Sequence, residues 1–155
     1  MVQSKIKLMS KDNIKKLREL TGAGVMDAKR ALEESSGDFN KAKEIIRERG
    51  LVKAAAKSER EIKAGLIKTY LHNNRVGVLL KLGCETDFVA KSEPLQVLAH
   101  NLVMQIAAME PKDVTALLSQ IFIKDEKITV DDLVKQTIAK TGENIKIESF
   151  YRLAL

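Results

Sequence analysis

The chain is poor in several residue types, and each shortage excludes a class of structure or site. It has one cysteine, two prolines, two tyrosines and no tryptophan among 155 residues. A single cysteine cannot form an internal disulfide and cannot build a thiolate zinc site. No apolar run approaches the roughly 18 residues that a membrane-spanning helix needs. Residues 1–10 also lack the apolar core of a signal peptide, so we expect a soluble, cytoplasmic protein.

The excess of positive charge is confined to the first part of the chain. The net charge is +6; residues 1–63 hold 16 Lys and Arg against 10 Asp and Glu, whereas residues 64–155 hold 11 of each. The cations alternate with acids, as in Arg47-Glu48-Arg49, which is typical of a solvated helix face. Few aromatic side chains accompany them, so a stacking platform for single strands is not indicated. Basic RNA binding stays open as an alternative, but we expect no specific nucleic-acid partner.

Residues 1–50 are predicted to form a module of three short helices. Ser10 can cap the first helix, and Gly22 interrupts the chain after it. Gly37 separates the second helix from the third, and Gly50 is predicted to end the third. Three short helices bury only a small core, so such a module is marginal unless it packs against something else.

After residue 50 the spacing of apolar residues along the chain changes. Residues 51–63 are good helix formers without an apolar stripe and are predicted to be a partly helical linker. Asn73-Asn74 is predicted to form a two-residue hairpin turn between strands. The predicted strands cover residues 64–72, 75–84 and 145–153, and the predicted helices cover residues 94–109, 113–120 and 131–141. We therefore predict an α+β core domain over residues 64–155, with a small antiparallel sheet and helices on one face.

Few groups that could carry covalent chemistry are present. Cys84 with His72 would be a thiol and its base, but no orienting third group accompanies them. His72 and His100 lack metal-ligand spacing, and no phosphate-binding glycine loop is present. We expect no enzymatic catalysis, no metal and no cofactor, which leaves recognition of a partner as the default.

Two places look unusual for a pure core. At Asp87-Phe88, after the second predicted strand, an exposed Phe would offer an aromatic anchor for a partner. Alternatively, Thr86 or Asp87 caps the next helix and Phe88 folds into the core. Val25 and Met26 are consecutive, so one of them can be an exposed contact; otherwise they form a hydrophobic staple against the first helix. The residues alone leave these alternatives open.

Four motifs, in chain order, resemble the elongation factor Ts family. They are KLRELTGAGVMDAKRAL at residues 16–32, RVGVLL at 75–80, CETDFVAK at 84–91 and TGENI at 141–145. Together they are spread over residues 16–145, which is most of the length of the chain. The resemblance implies an N-terminal three-helix module of the ubiquitin-associated type, joined by a linker to the α+β core. It also implies a guanine-nucleotide exchange factor whose partner is the GTPase elongation factor Tu.

The resemblance implies two partner-binding sets. In the core, Thr86, Asp87, Phe88 and Val89 fall on the motif that contacts the GTPase domain. There the Phe would wedge between helices and disturb the Mg²⁺ and phosphate site.

In the N-terminal module, the family positions near the nucleotide base fall on Arg18, Val25, Met26 and Lys29. Val25 stands where relatives often have Met.

The chain also departs from the family pattern. It has one copy of the core subdomain where many members have two, and the passage between residues 109 and 121 is short. Short members form dimers in which two half-cores replace the double core, and an apolar sheet face would favour the same arrangement. We therefore expect a homodimer. A protein-interaction module without exchange activity is the other alternative.

Overall fold

The computed structural model describes residues 11–155 and divides into two units, Met1–Lys53 and Ala54–Leu155. The predicted cap at Ser10 and the segment 1–10 lie outside the described residues. Among the helices that are described, none is long and apolar enough to cross a membrane.

Within residues 11–55 the structure describes three helices, as predicted: α1 (Lys11–Thr21), α2 (Val25–Glu34) and α3 (Phe39–Ala55). Three of the five fully buried core residues of the first unit are alanines, which lets short helices approach closely. The fully buried members are Leu17, Ala28, Ala31, Leu32 and Ala42, with Ile14, Phe39, Ile45 and Ile46 packed against them.

Glycines make the two turns between these helices possible. Gly22, at φ 70°, donates its N–H to the carbonyl of Arg18 and closes α1. Gly37, at φ 85°, donates to the carbonyl of Leu32 and closes α2. L-residues rarely adopt such positive φ angles. Asp38 then accepts hydrogen bonds from two free N–H groups at the start of α3, each 3.0 Å long, and so begins the third helix.

The predicted end of the third helix at Gly50 is wrong. The helix continues through this residue to Ala55. A glycine inside a helix costs only about 1 kcal/mol relative to alanine. The residues that follow are good helix formers, and Ala54 is buried in the core of the second unit. The gain from extending the helix to Ala55 therefore outweighs the helix-propensity cost of Gly50.

The second unit is built on a three-stranded antiparallel sheet. Its strands are β1 (Ala64–His72), β2 (Val76–Cys84) and β5 (Ile145–Ala154), in the order β1-β2-β5. The central strand β2 pairs Cys84 with Ala64 on one side and with Ile145 on the other. The C-terminal strand therefore completes the sheet.

The remaining elements are four helices and a small hairpin. They are α4 (Asp87–Ala90), α5 (Glu93–Met109), α6 (Val114–Ser119), β3 (Ile121–Phe122), β4 (Asp125–Thr129) and α7 (Val130–Thr141). The mixture of helices with an antiparallel sheet confirms the predicted α+β class. The predicted helix at 113–120 is α6, with Asp113 as its N-cap.

The core lies between one face of the sheet and α5. On β2, Val78, Leu80 and Leu82 are buried in alternation, as the period of two predicts. The stripe on α5 contributes Leu95, Leu98, Leu102 and Ile106, all buried. The helix α7 adds Val134 and Ile138 to the same core. Strand alternation and helical spacing thus meet in one apolar layer.

The predicted two-residue turn between β1 and β2 is one residue too short. The register pairs His72 with Val76, so three residues separate the strands. Asn73 and Asn74 have φ angles of 50° and 56°, as their tolerance of the left-handed region allows. Arg75 does not pair with β1, because its N–H closes the turn on the carbonyl of His72; its own carbonyl accepts the N–H of Leu155, next to the end of β5.

Residues 121–123, too short to assign from sequence, begin the β3–β4 hairpin. Buried Gln105 on α5 holds this segment by donating to the carbonyl of Ile121 and accepting from the N–H of Ile123. The chain between α5 and β4 is thereby fixed by a polar side chain of the core helix.

Both ends of α7 carry specific capping signals. Thr129 and Asp132 form a reciprocal capping box at its start. Gly142, at φ 76°, ends the helix by donating to the carbonyl of Ile138. The chain enters β5 only three residues later, so the position of Gly142 determines where residues 143 and 144 lie.

Replacing Asn73 by valine should destabilise the protein. A β-branched residue in the left-handed region is strained, and we expect a loss of about 1–2 kcal/mol in the free energy of unfolding. Asn73→Gly is the matched control and should be neutral or stabilising. Urea unfolding of both variants checks this, and equal midpoints would contradict the assigned turn conformation.

Candidate partner-binding surfaces

The chain forms a single helical turn where β2 ends. Cys84 is buried, and its thiol lies 3.2 Å from the carbonyl oxygen of Thr86. The turn α4 follows, and the Thr86 hydroxyl caps it by accepting a hydrogen bond from the N–H of Val89 at 3.3 Å. Of the predicted caps, Thr86 is therefore the one used.

The tip of this turn presents an aromatic side chain to solvent. Phe88 is 85% exposed, whereas Val89 is 5% exposed and packs into the core. Thr86 and Asp87 are exposed as well. We call Thr86, Asp87 and Phe88 the tip. The structure thus separates the predicted set, because Val89 anchors the turn from below and is not available as a surface contact.

The tip is held by the carboxylate of a residue that lies far away in the sequence. One oxygen of Glu143 accepts the N–H groups of Glu85 and Thr86, both at 3.0 Å. Its other oxygen accepts the Thr86 hydroxyl at 2.6 Å. Sequence reasoning did not single out Glu143 as a site residue. The only signal was its place in the TGEN motif, 57 residues away from Thr86.

The second surface lies in the first unit. Val25 is 49% exposed and Met26 is 56% exposed. Both consecutive residues therefore face solvent, and a buried staple is excluded. Leu20, which falls on the apolar spacing of α1, is also exposed. These three exposed apolar residues lie on either side of the turn between α1 and α2, and we call them the apolar patch; the sequence analysis identified only Val25 and Met26.

Cations flank this patch. The Arg18 side chain is exposed and donates to the carbonyl of Ala23 at 3.3 Å. Lys29 is exposed and lies 3.9 Å from Glu33. Asp27 bonds to Lys53 at 3.0 Å, and this hydrogen bond lowers the pKa of the Asp27 carboxyl. All four residues predicted for this surface therefore lie at the surface of the first unit.

The thiol and imidazole do not form a catalytic pair. His72 and Cys84 occupy opposite ends of the β1–β2 hairpin, which places them about 26 Å apart at roughly 3.3 Å per residue. Burial is the main cause that raises the pKa of the Cys84 thiol, which disfavours the thiolate. Within residues 11–155, no group of three or more His, Cys, Asp or Glu is placed to hold a metal ion.

The described residues thus form an α+β protein with an exposed aromatic tip in one unit and exposed apolar residues near cations in the other. Comparison with known proteins gives the family. The family model described as Elongation factor TS matches residues 85–155.

Curated relatives match over nearly the whole chain. Elongation factor Ts of Fervidobacterium nodosum is 39% identical, with 95% of this chain and 98% of the relative covered. The factor of Thermotoga maritima is 40% identical, with 93% and 94% covered. The chloroplastic factor of Cyanidioschyzon merolae is 40% identical, with 94% and 93% covered. The chain belongs to the elongation factor Ts family, and its role lies in translation elongation.

The chain is shorter than these relatives. The alignment with the Fervidobacterium factor extends over 193 residues, whereas this chain has 155, so at least 38 residues of the relative have no counterpart here. Both candidate surfaces are nevertheless present.

Phe88→Ala should leave the fold intact. Because the side chain is almost fully exposed, we expect the free energy of unfolding to change by less than about 0.5 kcal/mol. Leu80→Ala, at a fully buried position of β2, should cost about 2–5 kcal/mol. Urea unfolding compares the two. A large loss of stability in Phe88→Ala would show that Phe88 belongs to the core.

Proposed function

We propose that this protein is a guanine-nucleotide exchange factor that binds elongation factor Tu in its GDP form and promotes GDP release, so that GTP can bind. It performs no covalent chemistry. The proposal includes action in the cytoplasm. The observation that carries it is the exposed Phe88 beside Asp87, presented on a turn that the core anchors.

The mechanism is one of linked binding. A factor that binds the empty GTPase more tightly than the GDP-bound form must weaken GDP binding by the same ratio. A ratio of about 10³ corresponds to about 4 kcal/mol. Burying an exposed Phe between helices of the partner supplies about 1.5–3 kcal/mol. Asp87 carries a negative charge toward the Mg²⁺ and phosphate region, where the ion is a dominant local charge.

The apolar patch of the first unit supplies a second contact. Leu20, Val25 and Met26 are exposed together, and Arg18 and Lys29 border them. Apolar side chains surrounded by polar ones are the usual composition of a protein interface. This patch gives docking energy, while the tip changes the nucleotide site.

RNA binding receives less support. Five cations of the first unit form ion pairs with acids of that unit, which lowers the charge they offer to phosphate groups. The cations are Lys15, Lys29, Arg47, Arg49 and Lys53.

The proposal includes a homodimer through the sheet face that lies opposite the helices. On this outer sheet face, Ile67, Leu71, Leu79, Tyr151 and Leu153 are exposed. Leu79 lies opposite Tyr151, and Gly77 lies between Leu71 and Leu153 in the ladder. So many exposed large apolar side chains on one sheet face are unusual on a monomer. A second copy offers the same face, as a two-fold interface requires.

Phe88→Ala should lower the exchange rate. We expect the acceleration of release of fluorescent GDP from elongation factor Tu to fall about 10- to 100-fold, because the wedge contributes about 1.5–3 kcal/mol. The assay uses the factor in catalytic amounts and an excess of unlabelled GDP. Val97→Ala, at an exposed apolar position of α5, is the matched control and should exchange like the parent.

Two results would contradict this proposal. If Phe88→Ala accelerates release as well as the parent does, Phe88 is not the wedge. If the parent binds elongation factor Tu without accelerating release at all, the protein is an interaction module that lacks exchange activity.

A charge on the outer sheet face should dissociate the dimer. Leu79→Asp places a carboxylate in the centre of the apolar face, where burial of an unpaired charge is strongly unfavourable. Sedimentation velocity should show a dimer for the parent and for Val97→Asp, and a monomer for Leu79→Asp. A parent that sediments as a monomer would refute the dimer.

A further inference from the structure

The tip has to be held in place without the packing that usually orders a segment. The helix α4 has only four residues, and one isolated turn is unstable in water because nucleation is costly. Phe88 contributes little packing since it is largely exposed. Cys84 and Val89 anchor the two ends of this segment in the apolar core, but the exposed residues between them need a further, polar support.

Glu143 supplies the missing hydrogen-bond partners. The N–H groups of Glu85 and Thr86 follow directly after β2, where the ladder has ended. Both donate to one oxygen of the Glu143 carboxylate. Hydrogen bonds to an ionised acceptor are about twice as strong as neutral ones. One side chain thus fixes two consecutive peptide groups at the base of the tip.

The same carboxylate orients the cap of α4. A hydroxyl has one proton to donate and lone pairs to accept with. The Thr86 hydroxyl donates to Glu143. Its lone pairs then remain available to the N–H of Val89, which is the capping bond. Glu143 therefore fixes the orientation of the Thr86 hydroxyl, which caps the helical turn that carries Phe88.

A reciprocal set of bonds holds Glu143 in position. The carboxylate of Glu85 accepts the N–H of Asn144 at 2.7 Å. The Asn144 side chain is buried and donates to the carbonyls of Ser58 and Arg60. The guanidinium of Arg60 lies 3.7 Å from the Glu85 carboxylate. The segments 85–86 and 143–144 thus hold each other in place, supported by residues 58–60, and we call this set of bonds the clamp.

We infer that Glu143 is a positioning residue that orders the Asp87–Phe88 tip for nucleotide exchange. This inference rests on the proposed function. Glu143 acts through Thr86 and the backbone, and the partner is contacted by the tip itself.

The test compares three variants in the GDP-release assay. Glu143→Ala removes all three accepted bonds and should lower the acceleration at saturating elongation factor Tu about tenfold, since misplaced groups lose much of their effect. Glu143→Gln should retain most activity, because its amide oxygen can accept the two N–H groups and its NH₂ can donate to the Thr86 hydroxyl. Asp132→Ala, which removes the capping box at the far end of α7, should exchange like the parent.

A double-mutant cycle separates positioning from general stability. In the Phe88→Ala background, Glu143→Ala should lower exchange only about twofold further, because Phe88, the main group it positions, is already absent and only Asp87 remains. An additive tenfold loss would overturn the inference. Equal exchange by Glu143→Ala and the parent would overturn it as well, while leaving the proposed function intact.

Amide hydrogen exchange tests the clamp independently of activity. The peptide covering residues 85–90 should exchange faster in Glu143→Ala than in the parent, and Asp132→Ala should leave it unchanged. If the parent itself fails to release GDP, the proposed function falls, but this measurement still decides whether Glu143 orders the tip. Unchanged protection in Glu143→Ala would refute that role.

Discussion

The pairing of β5 with β2 is the constraint on which the position of the exposed Phe88 depends. Cys84, the last residue of β2, lies opposite Ile145, the first residue of β5. Beyond this pair the segment after β2 and the segment before β5 leave the sheet at the same end, so residues 85–86 meet residues 143–144. The bonds between them join positions nearly 60 residues apart. Without that register, α4 would have a cap but no support for its base.

The apolar elements could be predicted from the sequence because their periods are strong. Val78, Leu80 and Leu82 alternate on β2, and the stripe on α5 recurs every three or four residues. Burial against each other satisfies both patterns at once. The same reasoning placed Gly142 at the end of α7.

What sequence reasoning missed depended on tertiary contacts. Gly50 looks like a helix stop locally, yet burial of Ala54 favours continuation. The turn at Asn73 contains a third residue, Arg75, whose carbonyl bonds to Leu155, 80 residues further along the chain. Glu143 resembles any surface acid until the fold brings Thr86 to it. Periodicity carries no information about such long-range polar partners.

The exposure of Phe88 follows from helix geometry once Val89 and Ala90 are known to be buried. Successive residues of a helical turn point about 100° apart, so a turn that anchors through those two residues directs Phe88 away from the core. The sequence alone allowed either face of the turn to be buried. Packing of Val89 and Ala90 decided between them.

A wedge for a partner must be exposed and ordered at the same time, and apolar packing cannot provide both. Here order comes from hydrogen bonds at the base of the tip, while stability comes from the apolar layer between β2 and α5. The two can therefore vary separately. All members of the clamp lie in residues 58–60, 85–86 and 143–144, outside the short passage between residues 109 and 121. The length of the connection between α5 and β3 therefore affects none of the bonds that hold Phe88 in place.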